Sequence, residues 1–195
     1  MKLPSGFYNT MKTPNSMFRY FVGFALAVAF ILLLPLLAMQ ITDEVNWDLV
    51  DFAVAWTLLV GAGLTYKLVV RKIGNIAYRA AVGVAVATAL LIIWINLAVG
   101  IIGTEGNPAN LMYIVVLAVG IVGAILARFQ PRGMSRSLFA TALAQALVAV
   151  IALIAGLGYP ASRPSKIVIL NGFFIALWVG SAWLFRNAAR KQAAV

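Results

Sequence analysis

From Phe21 to Met39 the chain runs nineteen residues without a single charge. A helix rises about 1.5 Å per residue, so this run is long enough to cross roughly 30 Å of hydrocarbon. Lipid offers no water to unpaired backbone N–H and C=O groups, so such a run must be helical. Pro35, near its far end, is tolerated where neighbours satisfy the carbonyl it frees. A secretory signal peptide is the rival reading, because basic residues precede the run. The run is longer than a usual signal core, and Ala38-Met39-Gln40 is a poor cleavage site. A retained helix is expected.

The pattern recurs. Apolar spans are predicted at about Leu49–Val70, Ala80–Ile102, Leu111–Ala127, Leu138–Leu157 and Ile167–Phe185. Between them lie the acidic stretch ITDEVNWD, the turn Ile73-Gly74-Asn75, the turn Gln130-Pro131-Arg132-Gly133 and the breaker-rich loop Gly158–Pro164. Of the 195 residues 64% are hydrophobic and 10% charged, against about a quarter charged in soluble domains. The expected fold is therefore all-α, a polytopic membrane protein of six transmembrane helices in three hairpins. Residues 1–20 form a tail, 21–185 the bundle and 186–195 a basic tail.

Charge supports six spans over five or seven. With alternate loops on opposite sides, one side holds Lys2, Lys12, Arg19, Lys67, Arg71, Lys72, Arg79, Arg128, Arg132, Arg136, Arg186, Arg190 and Lys191, 13 of the 15 cations. The other holds Arg163, Lys166 and all five acids. The positive-inside rule then places both termini in the cytoplasm. Trp47, Tyr113 and Tyr159 fall near the outer interface, and Tyr20, Tyr66, Tyr78 and Trp183 near the inner one. Lys67 is expected to snorkel to the inner interface. The net charge of +10 belongs to this topology, and no nucleic-acid partner is expected. The expected partners are the lipid bilayer and either further copies of the chain or a larger membrane subunit.

Small residues four apart predict where helices approach closely. They are Gly172, Ala176 and Gly180; Ala81, Ala85 and Ala89; Gly120 and Ala124; and Ala140 and Ala144. Intramolecular packing is the expected use of these faces, and a homo-oligomer seam is the alternative.

The stretch Trp94–Tyr113, WINLAVGIIGTEGNPANLMY, gathers an amide, an acid, a proline and several glycines. Asn96 lies on one stripe with Ala89, Ile92, Gly100 and Gly103. It is either a ligand for a solute or ion, or a bond between helices, for example to Asn171, Gln145 or Thr57. Asp48 and Asp51 share a face at the outer mouth of the second helix. They cap that helix, or pair with Arg163 and Lys166, or form an acidic vestibule for a cation with Asp43, Glu44 and Glu105. Glu105 sits in a turn eased by Gly103 and Gly106. It is solvated there, or the loop folds back and brings it near Asn96. Asn107 or Asn110 caps the fourth helix, with Pro108 in the first turn if the cap is Asn107. The candidate binding set is thus Asp48, Asp51, Asn96, Glu105 and Asn110.

Histidine and cysteine are both absent. That removes the commonest general base, the usual haem ligand and the thiolate metal sites. No P-loop, GxSxG, HExxH or dinucleotide fingerprint is present. No enzyme activity and no cofactor is expected. Two functions fit: handling of a small solute or cation through an outer-facing acidic site, or service as a non-catalytic accessory subunit. The segments ITDEVNWDLVDF and WINLAVGIIGTEGNPANLMY together resemble small bacterial inner-membrane proteins, over the first four spans best. The resemblance implies a bacterial inner membrane and brings no activity, cofactor or site.

Overall fold

The computed structural model describes residues 15–41, 47–71 and 73–193, without the side chains of 15–21 and 193. The first fourteen residues of the expected tail, with the turn expected around Phe7-Tyr8, lie outside it, as do Asp43, Glu44 and Lys72. Six α-helices and one short 3-10 turn make up the regular structure, and no strand occurs among the described residues. The helices are α1 (Asn15–Ile41), α2 (Leu49–Val70), α3 (Ile76–Ala98), α4 (Met112–Leu126), α5 (Pro131–Ile154) and α6 (Pro164–Ala193). Six helices among the described residues are long and apolar enough to cross a membrane. The fold is that of a six-helix polytopic membrane protein.

Several boundaries move outward from the charge-free runs. α5 starts at Pro131 and α6 at Pro164, each proline taking an N-terminal position where its missing N–H costs nothing. α1 starts at Asn15, so the end of the expected tail is helical. The expected basic tail 186–195 is likewise helical through Ala193. The reason is a buried stripe: Phe185, Ala188 and Ala189 face inward at helical spacing, while Arg186 and Arg190 stay exposed. α3 keeps its expected length but lies four residues earlier in the chain. It ends at Ala98 because Gly100 (φ +68°) turns left-handed, with its N–H donating back to the Ile95 carbonyl at 2.9 Å.

The chain divides into two compact units, Met1–Val60 and Gly61–Val195. In the first, α1 and the start of α2 carry large exposed apolar side chains such as Leu26, Phe30, Leu34 and Val50. Exposure of this kind suits a helix whose solvent is lipid. In the second, α4 packs on α5, α5 on α6, and α6 on α3. Thus α3 finds its main partner in α6, far along the chain. Ala81 is fully buried there, and its carbonyl accepts a 2.7 Å bond from the Ser181 hydroxyl. Tyr78 stacks edge-on against Phe185 at 5.0 Å and donates its hydroxyl to the Phe129 carbonyl at 2.7 Å. That bond holds the α4–α5 turn, where Arg128 and Phe129 both take positive φ.

The small-residue faces divide sharply. Ala81, Ala85 and Ala89 lie in or against the core, as expected. Gly120 and Ala124 also face inward; a Cβ on Gly120 would touch the Thr141 hydroxyl at 3.3 Å. Gly123 makes the tighter approach, since a Cβ there would collide with the Ser137 side chain. Ala140 is exposed, because α5 turns Leu138, Thr141, Ala142 and Gln145 inward instead. Within the unit Gly61–Val195, the Gly172–Ala176–Gly180 face packs on no other helix among the described residues. Gly172 and Ala176 are exposed, and a Cβ on Gly172 or Gly180 would meet nothing within 4 Å.

These two kinds of glycine predict opposite responses. Gly123→Ala should lower stability by about 1–3 kcal/mol through overpacking against Ser137. Gly172→Ala should leave stability unchanged or raise it, because an exposed helical glycine gains helix propensity. Denaturation of both variants in mixed micelles checks the contrast.

Candidate functional site

Between α3 and α4 the chain does not simply cross from one helix to the next. Ile101 and Ile102 are fully buried, and Gly100 and Gly103 are buried beside them. Burying a loop this way strands its backbone polar groups unless side chains meet them. Asn110 meets three. Its Oδ1 accepts from the Ile102 N–H at 2.9 Å, and its Nδ2 donates to the carbonyls of Ile102 (3.2 Å) and Thr104 (2.7 Å). Ser162, 4% exposed, both accepts from the Gly103 N–H at 3.1 Å and donates to its carbonyl at 3.2 Å. The Lys166 ammonium donates to the carbonyls of Gly100 and Gly103 at 3.3 and 3.4 Å. Asn107 accepts from the Ala109 N–H at 2.9 Å, so it caps the Pro108–Leu111 turn, and its amide reaches the Leu157 carbonyl at 2.7 Å.

Two glycines permit this path. Gly100 is at φ +68° and Gly103 at φ +74°. A Cβ on Gly100 would run into the Thr104 carbonyl and lie 2.7 Å from the Glu105 nitrogen. The loop does fold back, but Glu105 stands exposed at its tip. The solvated reading of Glu105 therefore fits its side chain.

The remaining candidates are placed as follows. Asp48 and Asp51, in the first unit, form a reciprocal cap on α2. Asp48 Oδ1 accepts from the N–H groups of Val50 (2.7 Å) and Asp51 (2.9 Å), and Asp51 Oδ2 accepts from the Asp48 N–H at 2.9 Å. This is a capping box with aspartate at both positions. Asn96, in the second unit, does not bond to Asn171 or Gln145. Its amide donates to the Ile92 carbonyl one turn back at 2.8 Å, and its Oδ1 is buried with no donor among the described residues. Thr57 donates to its own helix at Ala53. In the second unit Asn110 and the Glu105 backbone belong to one loop, which α3 enters two residues after Asn96.

Sequence reasoning named Asn171 and Gln145 only as partners for Asn96. They pair with each other instead. Asn171 Oδ1 accepts from Gln145 Nε2 at 2.8 Å and from the Tyr113 hydroxyl at 3.0 Å, joining α4, α5 and α6. Its amide donates to the Ile167 carbonyl at 2.9 Å. All three side chains are buried, and Gln145 Oε1 has no donor among the described residues. The roles of Ser162 and Lys166 were also missed. A serine inside a breaker-rich loop carries no signal that it will meet a backbone 59 residues away.

No group of three or more Asp, Glu, His or Cys able to hold a metal occurs among the described residues. No protein-family model, no curated protein and no solved structure matches the chain.

Buried Asn171 and half-buried Asn96 should respond differently to removal. Asn171→Leu strands the Tyr113 hydroxyl and the Gln145 amide together and should cost about 1–3 kcal/mol. Asn96→Leu removes an oxygen with no donor among the described residues and should cost less, or stabilise. Equilibrium unfolding of both in the same detergent distinguishes them; equal losses would contradict this assignment of partners.

Proposed function

We propose that the protein is a non-catalytic accessory subunit of the membrane, packing against a second membrane-embedded chain. One observation supports this reading above the others. Four of the five candidate side chains bond to the chain's own backbone: Asp48 and Asp51 cap α2, Asn96 donates to the Ile92 carbonyl, and Asn110 clamps the loop before α4. The open Gly172–Ala176–Gly180 face of α6 suits a partner helix, since small residues let two backbones approach closely. The charge distribution along the chain supports an orientation with both termini in the cytoplasm. The resemblance of its loops supports a bacterial inner membrane.

The test is extraction from native membranes in mild detergent, followed by native mass spectrometry. A reproducible second subunit, lost on Gly172→Leu with Gly180→Leu while the chain stays folded, is the expected result. A lone monomer at every detergent strength would contradict it.

A second reading, a site for a small solute or cation entered from the acidic side, is favoured by a different observation. Asn96 Oδ1 and Gln145 Oε1 are buried acceptors without donors among the described residues. Such oxygens are costly away from water, and a solute N–H or a cation would satisfy them. The acids of the expected outer side, Asp48, Asp51 and Glu105, would draw cations toward that side. Neutralising Asp51 and Glu105 should then abolish uptake without lowering the amount of folded protein; unchanged uptake would sink this reading.

A further inference from the structure

At the end of the bundle where α5 begins and α6 finishes, the two helices bound a cleft of about 580 Å³. Four arginines line it: Arg132 and Arg136 from α5, Arg186 and Arg190 from α6. Ser135 and Phe139 complete the part of the wall that matters here.

This arrangement is unfavourable for the chain alone. Arg132 and Arg136 are four apart on one helix, and so are Arg186 and Arg190 on the other. Like charges at that spacing repel. Arg132 also sits in the first turn of α5, where the helix dipole disfavours a cation. The dipole accounts for Arg190, in the last turn of α6, but not for Arg132. Nor does the unit hold a counter-ion nearby. The only acid of Gly61–Val195 is Glu105. It precedes α4, whereas the cleft follows it, and the 15 residues of α4 span about 22 Å. Among the described residues none of the four guanidinium groups has a hydrogen-bond or ion-pair partner.

We propose that this cleft binds a phosphate group, presented by the headgroup of an anionic phospholipid. Guanidinium forks match phosphate oxygens in pairs, and two forks from each helix enclose the anion from both sides. The volume lies within the usual range for small ligands, roughly 300–1,000 Å³. Ser135 is buried at 6% exposure and makes no side-chain hydrogen bond among the described residues, which leaves its hydroxyl available as a donor. The cleft also lies at the ends of two membrane-spanning helices, the level at which headgroups sit. Phe139, one turn further into α5, extends the wall with an apolar surface. A free phosphate has no use for that surface; the start of an acyl chain does. Basic pockets between spanning helices are a known form of headgroup site.

The experiment uses the full chain in detergent. Native mass spectrometry follows binding of phosphatidylglycerol and of phosphatidylcholine with the same acyl chains. Wild type should prefer phosphatidylglycerol by about ten-fold or more. Arg136→Gln with Arg186→Gln should abolish most of that preference. Arg71→Gln with Arg79→Gln removes two exposed cations outside the cleft and should leave it intact. Circular dichroism confirms folding, and the single variant Arg186→Gln stands in if the double one fails. Inorganic phosphate is titrated in parallel. If it binds in an Arg136- and Arg186-dependent way while the two lipids bind alike, the anion is free phosphate and the lipid assignment is overturned. A lipid preference that survives the cleft substitution, or falls equally in both double variants, overturns the site itself.

Discussion

A backbone buried away from water must find its hydrogen bonds inside the protein, and the segment between α3 and α4 shows how this chain obeys that rule. Gly100 to Gly103 enter the interior without helix or strand to pair their groups. Asn110, Ser162 and Lys166 supply the missing partners. Ser162 comes from the segment leading into α6 and Lys166 from its first turn, so the loop ties α3 to α6 as well as to α4. The packing of α3 on α6 follows the same connection. Lys166 illustrates the economy of the arrangement: a cation near the end of a spanning helix is held by the dipoles of two loop carbonyls.

The buried triad of Tyr113, Gln145 and Asn171 applies the same rule between helices. One amide oxygen serves two donors from two other helices. In lipid no hydrophobic force sorts one apolar face from another, so such bonds and close glycine contacts set which helices meet. Gly123 against Ser137 is the close contact, and the triad is the bond.

The number and order of the helices were legible because charge marks the ends of spans, and a missing or extra span would mix the signs. The cap at Asp48 and Asp51 was legible as one of three readings, since acids three apart at a helix start suit a cap on local grounds. What stayed hidden depended on geometry far along the chain. The spacing of Phe185, Ala188 and Ala189 does continue the helical stripe of α6, but Arg186 masks it as an end. Asn171 and Gln145 look like equal partners for any buried amide, and only the packing of α5 on α6 assigns them to each other. The exposed position of the Gly172 face was hidden for the same reason: small spacing shows where a helix can approach closely, not whether one does.

The most direct test concerns the buried loop, because the contacts of α3, α4 and α6 converge on it. The chain has no cysteine, so single cysteines can be placed without further change. Glu105→Cys and Ile102→Cys lie three residues apart, one exposed and one fully buried. In intact membranes a water-soluble thiol reagent should modify the cysteine at 105 quickly and the one at 102 only after denaturation. Comparable labelling at both positions would mean an open, solvated loop, and would contradict this account of what holds the bundle together.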